Sequence, residues 1–191
     1  MSKIRLGVAG ANGAFGIKHL EALRAISDVD ITAVMATTME KATGVADRFD
    51  VPLRFDDYDT FIASDRVDAI ILATPTQLHA EQGIKAMAAG KHVLVEIPMA
   101  DNLADSERLV AKQAETGLVG MVGHVRRFNP SHQWVHNEIS KGALSIQQMD
   151  VQTYFFRRTN MNAKGEPRSW TDHLLWHHAC HTIDLFLYQT G

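Results

Sequence analysis

The first sixteen residues constrain the fold more than any other stretch of this chain. Residues 3–9, Lys-Ile-Arg-Leu-Gly-Val-Ala, are apolar at nearly every position after Arg5. That pattern reads as a short strand buried on both faces, as in a parallel sheet. Gly10-Ala11-Asn12-Gly13-Ala14-Phe15-Gly16 follows, and then a helical pattern through Leu20, Leu23 and Ile26. Strand, glycine turn and helix in that order open a dinucleotide-binding unit. Small residues let the backbone approach a pyrophosphate, and the helix N-terminus offers unpaired amides to its charge. The spacing, Gly-x-x-Gly-x-x-Gly, is one residue longer than the usual form and carries Asn12 in the turn. Gly10, Asn12, Gly13, Ala14 and Phe15 are therefore the candidate phosphate contacts. A plain tight turn would use the same glycines, but their place directly after a buried first strand favours the cofactor reading.

Residues 30–36 read as the second strand, which ends in Ala36-Thr37-Thr38 with Lys41 a turn later. Enzymes that prefer NAD place a carboxylate here to hold the adenosine ribose. This chain has none, and two hydroxyls and a lysine fit a 2′-phosphate, so NADP is the expected cofactor, with NAD possible. The competing reading makes Thr38 simply the N-cap of the next helix.

Strand and helix then alternate. A helix runs from Thr38 to about Phe49 and Pro52 ends it; Leu53-Arg54-Phe55 is a strand, Asp59 to Ala63 a helix, and Val67 to Ala73 a strand. A helix from Gln77 to Ala89 closes at Gly90, and Lys91 to Val95 is a strand. Asn102 caps a helix that Gly117 stops, and Leu118 to Val122 is the last strand. This is the pattern of an α/β fold, a doubly wound parallel sheet with right-handed crossovers. Ligands bind such sheets at the carboxyl ends of the strands, where Thr74-Pro75, Glu96-Ile97-Pro98 and Gly123-His124 fall.

The formal net charge of -3 supplies no basic stripe, so nucleic acid is not an expected partner. No run of about 18 uncharged apolar residues occurs, so no transmembrane helix is expected. The chain enters its first strand without a signal-peptide pattern, and its single cysteine forms no internal disulfide. Both fit a cytoplasmic protein.

Beyond Gly123 the composition shifts: Trp134, Trp170 and Trp176, all the tryptophans of the chain, lie there. A boundary near residues 123–130 divides a nucleotide-binding domain, residues 1–123, from a second domain beginning at 124. There a helix is expected over Ser131 to Lys141, a long strand over Ile146 to Phe156, and a polar loop to Ser169. The following stretch, to about Tyr188, reads as one helix on which His173, His177 and His181, spaced by four, share a face. Three imidazoles in line suit a metal, a proton path or a polar core. One strand and two helices cannot bury their own apolar faces, so the second domain, 124–191, is expected to be incomplete.

Taken together, several motifs resemble the Gfo/Idh/MocA oxidoreductases. They are the glycine turn, Ala73-Thr74-Pro75-Thr76-Gln77-Leu78-His79, Glu96-Ile97-Pro98, Arg127-Phe128-Asn129-Pro130 and His181-Thr182-Ile183-Asp184. The resemblance implies a Rossmann domain followed by an α/β domain with an open, mainly antiparallel sheet, and a homo-oligomer at full length. It adds Thr74, Pro75, His79, Glu96 and Ile97 to Thr37 and Thr38 in the cofactor set. Two departures stand out. The family usually has lysine where this chain has Ile97, and an aspartate where it has His177.

The segment Gln147 to Arg158, with Asn160 to Trp170 and the histidines, resembles a branch of the family from bacterial protocatechuate 4,5-cleavage. That resemblance implies NADP-dependent oxidation of the cyclic hemiacetal of a small dicarboxylate semialdehyde to a pyrone dicarboxylate lactone. His181 is then the base, with His177 relaying the proton or orienting the substrate, and no metal takes part. Neutral imidazole suits a base near neutral pH. Asp184 is a candidate to orient His181, and Arg127, Arg168 and His173 are candidates to bind the substrate, since guanidinium groups pair with carboxylates. Three rivals are a sugar or inositol dehydrogenase of the same family, a cofactor-binding protein without catalysis, and a metal-dependent hydrolase using His173, His177 and His181.

Overall fold

A computed structural model describes residues 3–154 and 174–191. The chain divides into two compact units, Met1–Gly123 and His124–Gly191.

The first unit alternates strand and helix throughout: β1 (Ile4–Ala9), α1 (Ala14–Leu23), β2 (Val29–Met35), α2 (Met39–Phe49), β3 (Leu53–Phe55), α3 (Tyr58–Ala63), β4 (Ala69–Leu72), α4 (Thr76–Ala88), β5 (His92–Val95), α5 (Leu103–Thr116) and β6 (Gly120–Val122). All five strand pairings are parallel, and the sheet order is β3-β2-β1-β4-β5-β6. That is the order of a doubly wound dinucleotide-binding sheet, with its reversal between β1 and β4. Alternate strand residues feed two cores. Val8, Val34 and Ile71 pack with Leu20 and Leu23 of α1 and Val45, Ala46 and Phe49 of α2. Ala33, Met35, Ile70 and Leu72 pack with Phe61 of α3, Met87 of α4 and Leu109 of α5. Burying both faces is why these strands read as continuous apolar runs.

Helix ends follow local chemistry. The Asn102 side chain accepts from Asp105 N at 2.9 Å, and Gly117 ends α5 in the left-handed conformation at φ 64°. The amino ends of β1 and β4 are joined by Arg5 and Asp68. Arg5 donates from Nε at 2.9 Å and Nη2 at 2.5 Å, and its backbone N donates at 3.0 Å to the same carboxylate. Those hydrogen bonds hold the Asp68 carboxyl down at about 2.

The second unit holds a 3-10 turn (Val125–Phe128), α6 (Pro130–Ser140), α7 (Leu174–His177) and α8 (Cys180–Thr190). Asn129 caps α6 by accepting from Ser131 N at 3.0 Å, with Pro130 in the first helical position. Two expectations change here. The strand expected from Ile146 does not form over residues 146–154, which are irregular; residues 155 and 156 lie outside the described residues. A strand needs partners for its backbone groups, and the described part of this unit contains no other strand. The expected single helix is interrupted at His178 and Ala179, so His177 ends α7 while His181 stands at the second position of α8. Spacing by four therefore does not place these two histidines on one helical face. Adjacent histidines are weaker helix formers than leucine, consistent with a break at that point.

Candidate functional site

The carboxyl ends of the strands in the first unit gather most of the expected cofactor residues. Gly10 leaves β1 at φ 74°, and the Ala73 carbonyl occupies the place where a Cβ at Gly10 would stand. Gly16 lies so close to the Gly10 carbonyl and the Ala11 backbone that it too has no room for a side chain. Together they allow α1 to begin directly over the turn. Gly13 is the N-cap of α1 and supplies no side-chain cap. The first-turn amides of α1 therefore remain available to an anion. Asn12, Ala14 and Phe15 are exposed around them, Phe15 to 66%. A Cβ-free cradle under an uncapped helix end fits a pyrophosphate.

At the end of β2, Thr38 is the N-cap of α2: its side chain accepts from Lys41 N at 3.3 Å. Lys41 Nζ donates to Thr37 Oγ1 at 3.1 Å, and both threonines are exposed. The capping reading of Thr38 is thus realised, and the cation beside Thr37 stays at the surface.

The loops after β4 and β5 are tied to α4. His79 is buried, with Nε2 2.8 Å from the Thr74 carbonyl and Nδ1 2.9 Å from the Pro98 carbonyl. Thr74 donates its hydroxyl to Gln82 Oε1 at 2.6 Å, and Tyr58 donates to the Gln82 carbonyl at 2.7 Å. His79 thus reaches the site through two backbone carbonyls, while Pro75 is exposed beside it. Glu96 follows β5; its Oε1 is 2.6 Å from His19 Nε2, and Ile97 N donates weakly to its Oε2 at 3.3 Å. The side chain of Ile97 is partly buried, and the Ile97–Pro98 bond is cis. His19 was not among the expected site residues. The one signal that points to it is its position a single turn after Gly16 on the helix that leaves the glycine turn.

In the second unit, Arg127 and Asp184 form a bidentate pair. Arg127 Nε donates at 2.9 and 3.1 Å and Nη2 at 2.5 Å, and the Asp184 side chain is only 8% exposed. The pair raises the guanidinium pKa, and the guanidinium also lies 5.4 Å from the centre of the Tyr188 ring. His124 Nδ1 is 3.5 Å from the other side of the carboxylate. Burial pushes the His124 pKa down, opposed by Asp184 and reinforced by Arg127. Asp184 therefore meets both Arg127 and His124. His181 is partly buried on α8, and burial raises the thiol pKa of its neighbour Cys180. For His177 the backbone alone is described, and Arg168 and His173 lie outside the described residues. Among the described residues, no three His, Cys, Asp or Glu side chains are grouped to hold a metal, and no helix is long and apolar enough to cross a membrane.

A doubly wound sheet with a side-chain-free turn beneath an open helix end defines a dinucleotide-binding protein. Residues 4–124 match the family described as oxidoreductase family, NAD-binding Rossmann fold, and residues 130–191 match bacterial oxidoreductases, C-terminal. The chain belongs to the Gfo/Idh/MocA family of oxidoreductases. It is 61% identical over 188 residues to 4-carboxy-2-hydroxymuconate-6-semialdehyde dehydrogenase of a Sphingobium species, covering 98% of this chain and 59% of that protein. It is 30% identical over 184 residues to inositol 2-dehydrogenase of Rubrobacter xylanophilus, covering 95% of this chain and 51% of that one. The chain thus spans between half and three fifths of the length of these two relatives. A solved 3-ketoreductase from Actinomadura kijaniata, in complex with TDP-benzene and NADP, is similar at 31% identity and a TM-score of 0.68, over 75% of this chain and 45% of that chain. Scyllo-inositol dehydrogenase from Lactobacillus casei shares the fold at 24% identity and a TM-score of 0.70, over 74% of this chain and 42% of that one.

Proposed function

We propose that this chain forms the cofactor-binding domain and the start of the substrate domain of an NADP-dependent dehydrogenase. Its substrate in this reading is the cyclic hemiacetal of 4-carboxy-2-hydroxymuconate-6-semialdehyde, oxidised to a pyrone dicarboxylate lactone. The observation that carries the reading is 61% identity, over 98% of this chain, to a relative of that name.

Residues 1–123 bind the cofactor in this reading. The turn from Gly10 to Phe15 receives the pyrophosphate, because it pairs a side-chain-free backbone with uncapped helix amides. Thr37, Thr38 and Lys41 receive a 2′-phosphate, which the lack of a carboxylate after β2 favours. His79 holds the Thr74 and Pro98 loops in place through their carbonyls. When bound, the dinucleotide supplies the hydride acceptor. His181 takes the hydroxyl proton, with His177 assisting it, as the family resemblance implies. Arg127 spends Nε and Nη2 on Asp184 and keeps Nη1 for a substrate carboxylate. Arg168 and His173 complete the substrate set. These side-chain roles rest on resemblance and chemistry.

The test is NADP reduction by the complete enzyme with the semialdehyde and with myo-inositol as substrates. Faster turnover of the semialdehyde supports the reading. Preference for inositol supports the second reading, a polyol dehydrogenase, which rests on 30% identity to inositol 2-dehydrogenase. Tight cofactor binding without turnover of either would make Ile97 the mark of a protein that has lost catalysis.

A further inference from the structure

Oxidising a hydroxyl sends a hydride to the nicotinamide and releases one proton. Ile97, at the end of the β5 loop, neither accepts nor donates that proton. The adjacent residue does so readily. Glu96 places a carboxylate at the carboxyl end of β5, only 13% exposed, with Oε1 2.6 Å from His19 Nε2. Among the described residues Oε2 receives only the weak Ile97 amide at 3.3 Å, and at Gly123 a Cβ would stand 3.2 Å from it, so the missing side chain leaves that oxygen approachable. His19 Nδ1 makes no hydrogen bond to the protein among the described residues, and its side chain is 22% exposed. The neighbouring charges on α1, Lys18 and Glu21, pair with each other at 3.1 Å. Carboxylate and imidazole thus join the carboxyl end of β5 to a partly exposed ring on α1.

We propose that Glu96 and His19 form a proton relay through which the proton first taken from the oxidised hydroxyl by His181, and handed on through solvent, leaves the cofactor domain. The proposal rests on the dehydrogenase reading above. In the relaying form the proton of the short bond sits on Oε1 and the imidazole proton on Nδ1. Oε2 takes up the incoming proton as Oε1 passes its own to Nε2 and Nδ1 releases one to water, so the charge of the pair is unchanged. The pair returns to its starting form when the carboxyl proton moves back to Oε1 and the two nitrogens exchange roles through solvent. No oxidant beyond the dinucleotide is needed, and the pair substitutes for an ionisable group at position 97.

The experiment uses His19→Gln and His19→Gly in the complete enzyme, with NADP affinity read by fluorescence titration and kcat by NADPH formation. Gln keeps a donor to Glu96 but cannot pass a proton. The relay predicts a kcat lower by about tenfold or more in both variants, NADP affinity within about twofold of wild type, and recovery of His19→Gly by added imidazole. Unchanged kcat, or loss that imidazole does not restore while NADP still binds, overturns the relay and leaves the dehydrogenase reading standing. If the variants lose NADP binding as well, His19 is a structural pin and the relay is overturned. A wild-type enzyme that binds NADP and oxidises no hydroxy substrate overturns both.

Discussion

His79 and Pro98 are joined by a buried hydrogen bond: His79 Nδ1 is 2.9 Å from the Pro98 carbonyl, while Nε2 is 2.8 Å from the Thr74 carbonyl. One ring thus fixes the exits of two adjacent strands. His79→Ala is expected to destabilise the protein by about 2–4 kcal/mol, through the cavity and the lost hydrogen bonds together. Its NADP affinity is expected to fall as well, because both loops lose their anchor. Urea unfolding and cofactor titration check this; a variant as stable as wild type would show that the loops hold themselves.

Arg127 and Asp184 behave as one unit. Removing the cation by Arg127→Ala leaves a buried carboxylate, at an expected cost of about 2–3 kcal/mol, moderated because the guanidinium is 41% exposed. Arg127→Ala combined with Asp184→Asn should recover part of that loss. A double variant no better than Arg127→Ala alone, by thermal melt, would count against coupling between the two residues.

Asp68 makes the acid limit of stability predictable. Its pKa is depressed from 3.8 to about 2, so its contribution is full above about pH 4 and disappears as pH falls through about 2. Both partners are about two fifths exposed, so solvent screening reduces the contribution to about 1 kcal/mol at pH 7. Asp68→Asn should melt below wild type at pH 7, and the two curves should converge toward pH 2. A gap independent of pH would contradict the assignment.

Gly16 and Gly44 are expected to respond oppositely to alanine. Gly16→Ala drives a Cβ into the Gly10 carbonyl and should cost about 1–3 kcal/mol, with weaker dinucleotide binding. Gly44 is in the interior of α2 with nothing within 4 Å of an added Cβ, so Gly44→Ala should add about 0.5–1 kcal/mol. Paired denaturation curves separate the two outcomes.

Lys41 tests the choice of cofactor. If Thr37, Thr38 and Lys41 hold a 2′-phosphate, Lys41→Ala weakens NADP binding about fivefold or more and leaves NAD unchanged, since only the former carries the extra charge. Equal effects on both would show that Lys41 serves only the end of α2.

Much of the first unit was legible because its signals are local. The apolar run of β1, the glycine turn, the Asn102 cap and the Gly117 stop each depend on residues within a few positions. The second unit was less legible because its structure depends on partners. Residues 146–154 have strand-like alternation but no neighbouring strand to pair with among the described residues. A period of four suggested one helix through His177 and His181, yet the chain breaks between them at residues 178–179. The links at the candidate site join distant positions: Arg127 meets Asp184 across 57 residues, and His19 meets Glu96 across 77. Composition and spacing carry no record of such pairings, so Arg127 read as a cation for substrate and His19 did not stand out.

The strand order has a consequence for assembly. β1 comes first in the chain and stands inside the sheet, with β2 and then β3 on one side and β4, β5 and β6 in turn on the other. Every newly made strand therefore docks on an open edge of what already exists, and none has to wedge between two partners that have already met. The sheet can grow outward in the order in which the chain is synthesised, and its growing border moves from the β3 side to the β6 side only once, at the crossing from β3 to β4.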